Sequence, residues 1–206
     1  MFIVKNMYFV IKRIFDIVVS LIVLLLMIPL SIILKIITIF TGNFNSIFFT
    51  QMRIGKNGKK FKLYKYTSMV PDADKKLEEL LKIDSYNQEW KENQKLKNDP
   101  RVTKIGSILR KTTLDELPQF INILKGDMSI VGPRPLVEGE LDAHHGNHKL
   151  YESVKPGLTG WWACNNHYNF TYKERLDLEY YYIKNMSLSL DIKCIVKTIG
   201  LVLFKK

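Results

Sequence analysis

The first part of the chain is a long apolar stretch that predicts a membrane helix. Across residues 14–40 almost every position is apolar, and the exceptions are a few polar residues and one proline: Asp16, Ser20, Pro29, Ser31, Lys35 and Thr38. A helix that spans a bilayer needs about 20 apolar residues, and this run is long enough. A cleaved signal peptide is not expected, because its apolar core would be only about 7–15 residues.

The charges flanking this run predict how it meets the membrane. Lys5, Lys12 and Arg13 precede it, and basic residues with no acidic one among them follow soon after it: Arg53, Lys56, Lys59, Lys60, Lys62 and Lys65. Basic flanks favour the cytoplasmic side, so both ends of the run are predicted to lie there. A helix that enters the membrane and returns satisfies this rule, whereas a single span does not.

Pro29 lies near the middle of the run and gives a reason for such a return. It removes the hydrogen bond to the carbonyl of Leu25, so a sharp bend is expected there. The hydroxyl of Ser31 could help to satisfy the freed backbone. We interpret residues 1–45 as a re-entrant helix hairpin broken at Pro29. The alternative is an ordinary spanning helix with a mild kink.

The remaining residues, 46–206, predict a small α/β domain that is mostly helical and lies at the cytoplasmic face. Residues 48–66 favour two short strands around a glycine-containing turn. The lysines of this hairpin, Lys59 among them, would face anionic headgroups or a diphosphate, or would simply be solvated. From Leu190 onwards the apolar residues fall on one helical face. This pattern predicts an amphipathic helix at the membrane interface, with a core helix as the alternative.

Composition adds a requirement for an anionic partner. Lys and Arg outnumber Asp and Glu by 31 to 20 in the 206-residue chain, which gives a formal net charge of +11. Anionic lipid, a phosphorylated substrate or nucleic acid could supply the opposite charge. No nucleic-acid partner is predicted, because the basic residues lie beside the apolar run without a recognisable binding motif.

Cys164 and Cys194 form no CxxC motif and are expected to be reduced thiols.

An adjacent acid pair, Asp115 and Glu116, offers two interpretations. In the first the pair is structural: Thr113 and Glu116 would form a capping box. Asp115 could instead cap a helix that tolerates Pro118 in its first turn. In the second interpretation the pair divides a chemical task, one carboxylate acting as nucleophile while the other holds a divalent cation.

The basic residues on either side of the pair favour the chemical interpretation. Arg110 precedes it and Arg134 follows it, and together they could bracket a phosphate. Pro133 and Pro135 pre-set the backbone beside Arg134, which suits a guanidinium that is needed in one orientation. A nucleophile, a metal ion and fixed cations are the parts that phosphoryl transfer requires.

The chain resembles the bacterial sugar transferase family, the monotopic polyprenyl-phosphate phosphoglycosyl transferases. The resemblance covers nearly the whole chain and lies in blocks that follow the family's order: residues 12–16, 51–55, 99–103, 109–111, 114–119, 126–135 and 155–161. It implies that a sugar-1-phosphate passes from a UDP-sugar to polyprenyl phosphate, with release of UMP, at the cytoplasmic face of a bacterial membrane. This reaction would begin the assembly of a surface glycan, and a homodimer is compatible with it.

The resemblance also implies roles for individual residues. Asp115 would be the nucleophile that carries a covalent phosphosugar, and Glu116 would support Mg2+. Arg110 and Arg134, beside Pro133, would bind phosphate or nucleotide. Glu179 would lie near the metal ion or the donor. Arg175 could contribute to the same site or form a surface ion pair instead.

Two other features bear less directly on function. His144, His145 and His148 lack a partner at a metal-ligand spacing, so a solvated loop is predicted. Trp161 and Trp162 could stack on a base, lie at the interface or pack in the core.

The chain departs from the family pattern at three places. Ile28 replaces the usual serine before Pro29, and Thr67 stands where the family has arginine. Asn166 and His167 replace a Gly-Arg pair, which would weaken a phosphate contact made there. The alternative function is therefore a catalytically impaired scaffold or partner in a glycan assembly complex at the membrane.

Overall fold

The computed structural model describes residues 2–40, 46–93, 96–165 and 171–204. Helix predominates over strand in these ranges, which agrees with the predicted fold class. The elements in chain order are α1 (Phe2–Phe40), β1 (Phe48–Ile54), β2 (Lys60–Tyr66), α2 (Ala73–Leu80), α3 (Asp84–Asn93), α4 (Lys104–Lys111), α5 (Gln119–Lys125), β3 (Ser129–Val131), α6 (Glu140–Ala143), α7 (His148–Tyr151), β4 (Gly157–Thr159), α8 (Tyr172–Asn185) and α9 (Leu188–Leu203). Asn166 and His167 lie outside the described residues.

β1 and β2 form the predicted antiparallel hairpin, and α5 is fixed to its edge. Phe61 and Leu63 on β2 are buried in the core, where they contribute the apolar face of the strand. Asn122 on α5 is fully buried; its amide donates to the carbonyl of Lys62 at 2.7 Å and accepts from the N–H of Tyr64 at 3.0 Å. These two bonds satisfy backbone groups at the sheet edge that burial would otherwise leave unpaired.

β3 and β4 form a second, parallel sheet that places one functional loop. Val131 lies opposite Thr159, and the N–H of Gly132 extends the pairing by donating to the carbonyl of Thr159 at 2.8 Å. A Cβ atom on Gly157 would lie 2.1 Å from the nitrogen of Gly132, so the two segments can approach this closely only with glycine there. The loop that starts at Gly132 is therefore held against the segment that starts at Gly157.

A buried carboxylate on α1 attaches this helix to β3. Asp16 is only 3% exposed, and its Oδ1 accepts from the N–H of Ile130 at 2.9 Å and from the hydroxyl of Ser129 at 3.2 Å. Ser20, one turn further along, is fully buried and donates to the carbonyl of Asp16. The polar residues that interrupt the apolar run thus include the ones that bind the helix to the rest of the protein.

Two cations on α1 extend this attachment to α5 and α9. Arg13 donates to the carbonyls of Ile123 and Leu124 at 2.6 and 2.7 Å, at the C-terminal end of α5. A cation there also interacts favourably with the helix dipole. Lys12 forms an ion pair with Asp191 of α9 at 2.6 Å.

The outer face of α1 is apolar and exposed, as expected for contact with lipid. Residues 7–40 are long and apolar enough to cross a membrane, and only 17% of the most apolar 18-residue window is buried in the protein. The helix is continuous through Pro29, so the break that the sequence predicted at this residue is absent. Ser31 donates to the carbonyl of Met27 at 3.0 Å, not to the Leu25 carbonyl that Pro29 frees.

α9 also presents an apolar face to the surroundings. Ile192, Val196 and Ile199 are 60%, 62% and 52% exposed, whereas Leu190 and Cys194 on the opposite face are buried. The alternative of a core helix is therefore wrong, and the exposed apolar face fits the predicted amphipathic helix.

We expect Asp16→Ala to destabilise the protein, because it leaves the N–H of Ile130 and the hydroxyl of Ser129 buried without an acceptor. Such a loss costs about 1–3 kcal/mol for each unsatisfied group. Thermal unfolding in detergent measures the effect as a lower midpoint. Val18→Ala, on the exposed face of the same helix, is the control and should shift the midpoint much less. Equal midpoints for Asp16→Ala and wild type would contradict the role of Asp16.

Candidate active site

The acid pair lies in a short 3-10 turn, Leu114–Glu116, between α4 and α5. Thr113 precedes it with φ of 61° and ψ of 10°, a left-handed conformation that a β-branched residue adopts only under strain. Its side chain makes no capping hydrogen bond, so the predicted capping box is wrong. The N-cap position of α5 is Pro118, so Asp115 does not cap that helix either. Neither capping interpretation of the acid pair is therefore correct, and both carboxylates are available for another role.

Asp115 is 9% exposed and lies in a mixed electrostatic environment. Burial raises the pKa of its carboxyl group, and the negative charge of Glu116 raises it further, while Lys65 and Arg110 oppose this effect. A buried carboxylate with little hydration and nearby cations is a common feature of catalytic sites. The chemical interpretation of the pair gains from this environment.

Glu116 is more exposed than Asp115 and is paired with Lys65. The Nζ atom of Lys65 lies 2.8 Å from Oε1 of Glu116, and both side chains are about one third exposed. Lys65 therefore belongs to the site, although the sequence interpretation had named Lys59. Lys59 follows the hairpin turn at the opposite end of β2, is exposed, and does not line the pocket described below.

Arg134 lies in a loop whose backbone is fixed on both sides. Its N–H donates to Oε1 of Glu179 at 3.0 Å, and its carbonyl accepts from the hydroxyl of Tyr151 at 3.0 Å. The carbonyl of the buried Pro133 accepts from the N–H of Gly157 at 2.8 Å. The sequence-based expectation of a rigid loop around this arginine is met, and its guanidinium lies 5.9 Å from the ring of Trp162.

Glu179, on α8, is a buried carboxyl group beside this loop. It is 1% exposed, and burial raises its pKa to about 7, although the Arg134 N–H and the charges of Arg175 and Arg134 act in the opposite direction. Its Oε1 holds the Arg134 backbone, whereas Oε2 has no hydrogen-bond partner. The structure thus puts Glu179 at the loop of Arg134.

The two remaining arginines occupy different parts of the site. Arg110, in the last turn of α4, donates from Nε to the hydroxyl of Ser68 at 2.8 Å. Arg175 pairs with Glu140 at 3.2 Å, but both side chains are largely buried, so this is not the surface ion pair that the sequence suggested. Its guanidinium also lies 4.8 Å from the ring of Trp162.

A pocket of about 140 Å³ connects several of these groups. Glu116 and Lys65 line one part of it, and the other polar side chains of its lining are Arg53, Gln119, Arg134, Thr159, Trp162 and Glu179. A larger cavity of about 230 Å³, which Pro133 lines, is lined by neither the acid pair nor Arg134. We take the smaller pocket as the candidate site, because Glu116 and Arg134 both line it. Asp115 and Arg110 are not among its lining residues.

Sequence patterns alone do not place Arg53 or Trp162 at the site. In the sequence, Arg53 is one of several basic residues after the apolar run. The position of Trp162 is compatible with base stacking, interfacial anchoring or core packing. Its packing beside Arg134 and Arg175 places it at the pocket.

The two carboxylates of the acid pair could bind a magnesium ion that is also bound by the phosphates of a substrate. Among the described residues no group of three or more His, Cys, Asp or Glu side chains could hold a metal ion by itself. Mg2+ is usually bound through one or two carboxylates together with substrate phosphates, and Asp115 and Glu116 could supply the protein part.

The histidine cluster is not arranged as a metal site. His148 contacts Asp142 and Glu152 through its two ring nitrogens, each at 2.7 Å, and His144 stacks on Tyr172. His144 and His148 thus each have a structural contact.

Residues 7–205 match the family model described as "Bacterial sugar transferase". The chain belongs to the bacterial sugar transferase family. Membership is consistent with the acid pair and the arginine loop, which lie in the blocks that carried the resemblance.

Several relatives of this chain are named for transfer to lipid carriers or for polysaccharide production. The chain is 43% identical over 193 residues to the "UDP-galactose-lipid carrier transferase" of Erwinia amylovora, covering 93% of this chain but 40% of the relative. It is 42% identical over 190 residues to the "Exopolysaccharide production protein ExoY" of Rhizobium meliloti, covering 91% of this chain and 83% of that protein. The "Undecaprenyl-phosphate galactose phosphotransferase" of Salmonella typhimurium is 43% identical over 195 residues, which is 93% of this chain and 40% of the relative.

The raised pKa of Glu179 predicts a pH-dependent stability. The folded protein keeps this proton up to a pH of about 7, whereas the unfolded chain loses it near its ordinary value of 4.5. The free energy of unfolding therefore falls as pH rises through this window, by about 3 kcal/mol for a fully buried group. Glu179→Gln has no such proton, so its unfolding midpoint should vary less than that of wild type between about pH 4.5 and pH 7.

Asp177→Asn, an exposed acid-to-amide change on the same helix, is the matched control and should keep the wild-type pH dependence. Thermal unfolding of the three proteins across this pH range makes the comparison. Parallel curves for wild type and Glu179→Gln would show that Glu179 is already ionised at low pH and would contradict the prediction.

Proposed function

We propose that this protein is a phosphoglycosyl transferase, which moves a sugar-1-phosphate from a UDP-sugar to polyprenyl phosphate and releases UMP. The observation that carries the proposal is the acid pair. Asp115 and Glu116 serve no capping role and lie beside Lys65, and Glu116 lines a pocket that Arg134 also lines. Membership of the bacterial sugar transferase family and the printed names of the relatives support the same reaction.

Asp115 is the proposed nucleophile. One of its carboxylate oxygens attacks the phosphorus that carries the sugar. The bond from this phosphorus to the bridging oxygen breaks, and UMP leaves with that oxygen and its electron pair. The phosphate of polyprenyl phosphate then attacks the same phosphorus and displaces the carboxylate of Asp115, which regenerates the enzyme. No base is needed for the second step, because the attacking phosphate is already anionic.

The environment of Asp115 suits this task. Burial makes its carboxylate less hydrated and raises its pKa, so the ionised form is a better nucleophile than an exposed one. The opposing charges of Lys65 and Arg110 keep the ionised form accessible.

The cations of the site would bind and stabilise the phosphates. Arg134 lies on a backbone that is fixed by Glu179 and Tyr151, so its guanidinium needs little rearrangement to meet a phosphate. Arg110 would contribute from the end of α4. Mg2+, held by Glu116 and the substrate, would neutralise negative charge that develops on the phosphates.

We also propose that α1 is re-entrant and holds the protein at the cytoplasmic face of the membrane. Contacts to the domain run from Tyr8, which donates to Asp191, to Leu34, which packs in a cluster with Tyr66 and Leu109. At 1.5 Å per residue these contacts extend along about 39 Å of helix. A spanning helix would leave the domain after its first turns, so contact along nearly the whole length supports a helix that stays on the domain's side of the membrane. Because α1 is continuous through Pro29, its return would need a bend within the helix and not a break.

The proposed reaction would begin the assembly of a surface glycan. The names of the relatives indicate which sugar donors to compare first. The relatives named for galactose make UDP-galactose the first donor to compare. A relative from Escherichia coli, 36% identical over 197 residues, is named "UDP-glucose:undecaprenyl-phosphate glucose-1-phosphate transferase" and makes UDP-glucose the second.

Asp115→Asn should abolish UMP release, because the amide is a far weaker nucleophile than the carboxylate it replaces. Purified protein in detergent is given Mg2+, polyprenyl phosphate and each UDP-sugar, and UMP is quantified. Without the acceptor, the intact mass of wild type should rise by one hexose phosphate, and that of the variant should stay constant. Asp177→Asn is the control, since this exposed acid lies on α8 outside the pocket lining.

UMP release by Asp115→Asn at the wild-type rate would reject Asp115 as the nucleophile. No release from well-folded wild type with any donor would favour the alternative function, a membrane-bound scaffold or partner in glycan assembly.

The re-entrant topology predicts that both ends of α1 are protected from reagents outside the cell. A cysteine is added before Met1 or after Lys206, and intact cells are treated with a membrane-impermeant thiol reagent. The native thiols, Cys164 and Cys194, are buried and should contribute little signal. Labelling of neither added cysteine until the cells are opened is the expected result. Labelling of one end only in intact cells would establish a spanning helix instead.

A further inference from the structure

Unsatisfied buried polar atoms are concentrated at one place in the protein. Among the described residues, five buried side-chain nitrogen or oxygen atoms have no hydrogen-bond partner, and four residues contain them all: Arg53, Trp162, Arg175 and Glu179. Buried polar groups in native proteins are nearly always paired. Such a concentration at a single pocket indicates that a ligand completes the pairing.

These residues come from three separate segments that converge at the pocket. Arg53 lies on β1, Trp162 follows β4, and Arg175 lies on α8. Arg53, Trp162 and Glu179 line the pocket. Arg175 is not among the lining residues, but its guanidinium lies 4.8 Å from the ring of Trp162. This end of the pocket is distinct from the part that Glu116 and Lys65 line.

The unpaired atoms favour a ligand that is rich in hydrogen-bond acceptors. Four of the five are N–H donors: Nε of Arg53, Nε1 of Trp162, and Nε and Nη2 of Arg175. The fifth, Oε2 of Glu179, can act as an acceptor when the group is ionised. A phosphate offers acceptors only, whereas sugar hydroxyls offer donors and acceptors in similar number.

The charge of the region also calls for an anion. Burial lowers the pKa of Arg53, the positive charges of Arg134 and Arg175 lower it further, and Glu140 opposes this. Glu140 is already paired with Arg175. An anionic ligand would offset the mutual repulsion of these guanidinium groups.

We propose that Arg53, Trp162 and Arg175 form the subsite for the UMP part of the donor, with the uridine-side phosphate bound by the two arginines. This inference rests on the proposed function, because it needs a UDP-sugar in the pocket. The phosphate that carries the sugar must lie beside Asp115, so the second phosphate is the anionic group left to bind further along the pocket. The single acceptor at Glu179 also matches the one N–H of a uracil ring.

This assignment gives the two arginines a role in the reaction as well as in binding. When the bond to the bridging oxygen breaks, UMP gains negative charge. Fixed guanidinium groups at the departing phosphate stabilise that charge without reorganisation.

Direct binding of UMP tests the subsite without requiring turnover. Full-length protein in detergent is titrated calorimetrically with UMP, with inorganic phosphate and with galactose-1-phosphate. Arg53→Gln should weaken UMP binding by about ten- to a hundredfold, the usual effect of losing a hydrogen bond to a charged group. Lys62→Gln is the matched control, because it removes the same charge from the hairpin at an exposed position outside the pocket lining. Its affinity for UMP should equal that of wild type.

Trp162→Phe is a second variant for the case in which Arg53→Gln does not fold. It keeps an aromatic ring beside Arg175 and removes the Nε1 donor, so UMP binding should weaken about three- to tenfold, as for the loss of one neutral hydrogen bond. The thermal midpoint of each variant shows that it is folded before titration.

Two results would overturn the assignment. If Arg53→Gln weakens galactose-1-phosphate binding and leaves UMP binding unchanged, this end of the pocket holds the sugar side. If UMP binds wild type no more tightly than inorganic phosphate, the cluster is a general anion site. The proposed reaction can fail separately: absence of UMP release from any UDP-sugar would reject it even where UMP binding depends on Arg53.

Discussion

The buried carboxylate of Asp16 is the contact on which much of the site depends. A charged group inside an apolar helix is costly unless it is paired, and here its partners are the backbone of Ile130 and the hydroxyl of Ser129. β3 leads directly into the loop of Arg134, so the long apolar helix also fixes the position of the arginine that is proposed to bind phosphate. Arg13 adds a second link by binding the C-terminal end of α5, the helix that follows the acid pair.

The site itself is held in an arrangement that is not the most stable one for its residues. Thr113 has a left-handed backbone, Glu179 is buried with an unpaired oxygen, and Arg53 is crowded by other guanidinium groups. Each of these features costs stability, and the surrounding core must over-determine them. Such costs are expected where a protein keeps groups ready for a ligand and leaves them incompletely satisfied without it.

Local patterns in the sequence predicted the elements that local chemistry determines. The hairpin, the apolar first helix and the stiff loop around Arg134 all follow from side-chain alternation, hydropathy and proline placement. The capping box failed for a local reason: Thr113 and Glu116 have the right spacing, but the left-handed backbone of Thr113 excludes the capping geometry. Arg53 and Trp162 could not be found in this way, because only tertiary packing brings β1 and the segment after β4 together.

The position of the two apolar helices fits the proposed reaction, in which one site serves a water-soluble donor and a lipid acceptor. Asp191 on α9 accepts from Lys12 and Tyr8 on α1, and its second oxygen accepts from the hydroxyl of Tyr182. This network of buried polar groups keeps α1 and α9 side by side, with their exposed apolar residues available to the bilayer. The polar pocket that Glu116 lines would hold the charged nucleotide sugar of the proposed reaction. A covalent intermediate on Asp115 would then allow the donor and the lipid acceptor to react one after the other, since the nucleotide can leave before the lipid phosphate reacts.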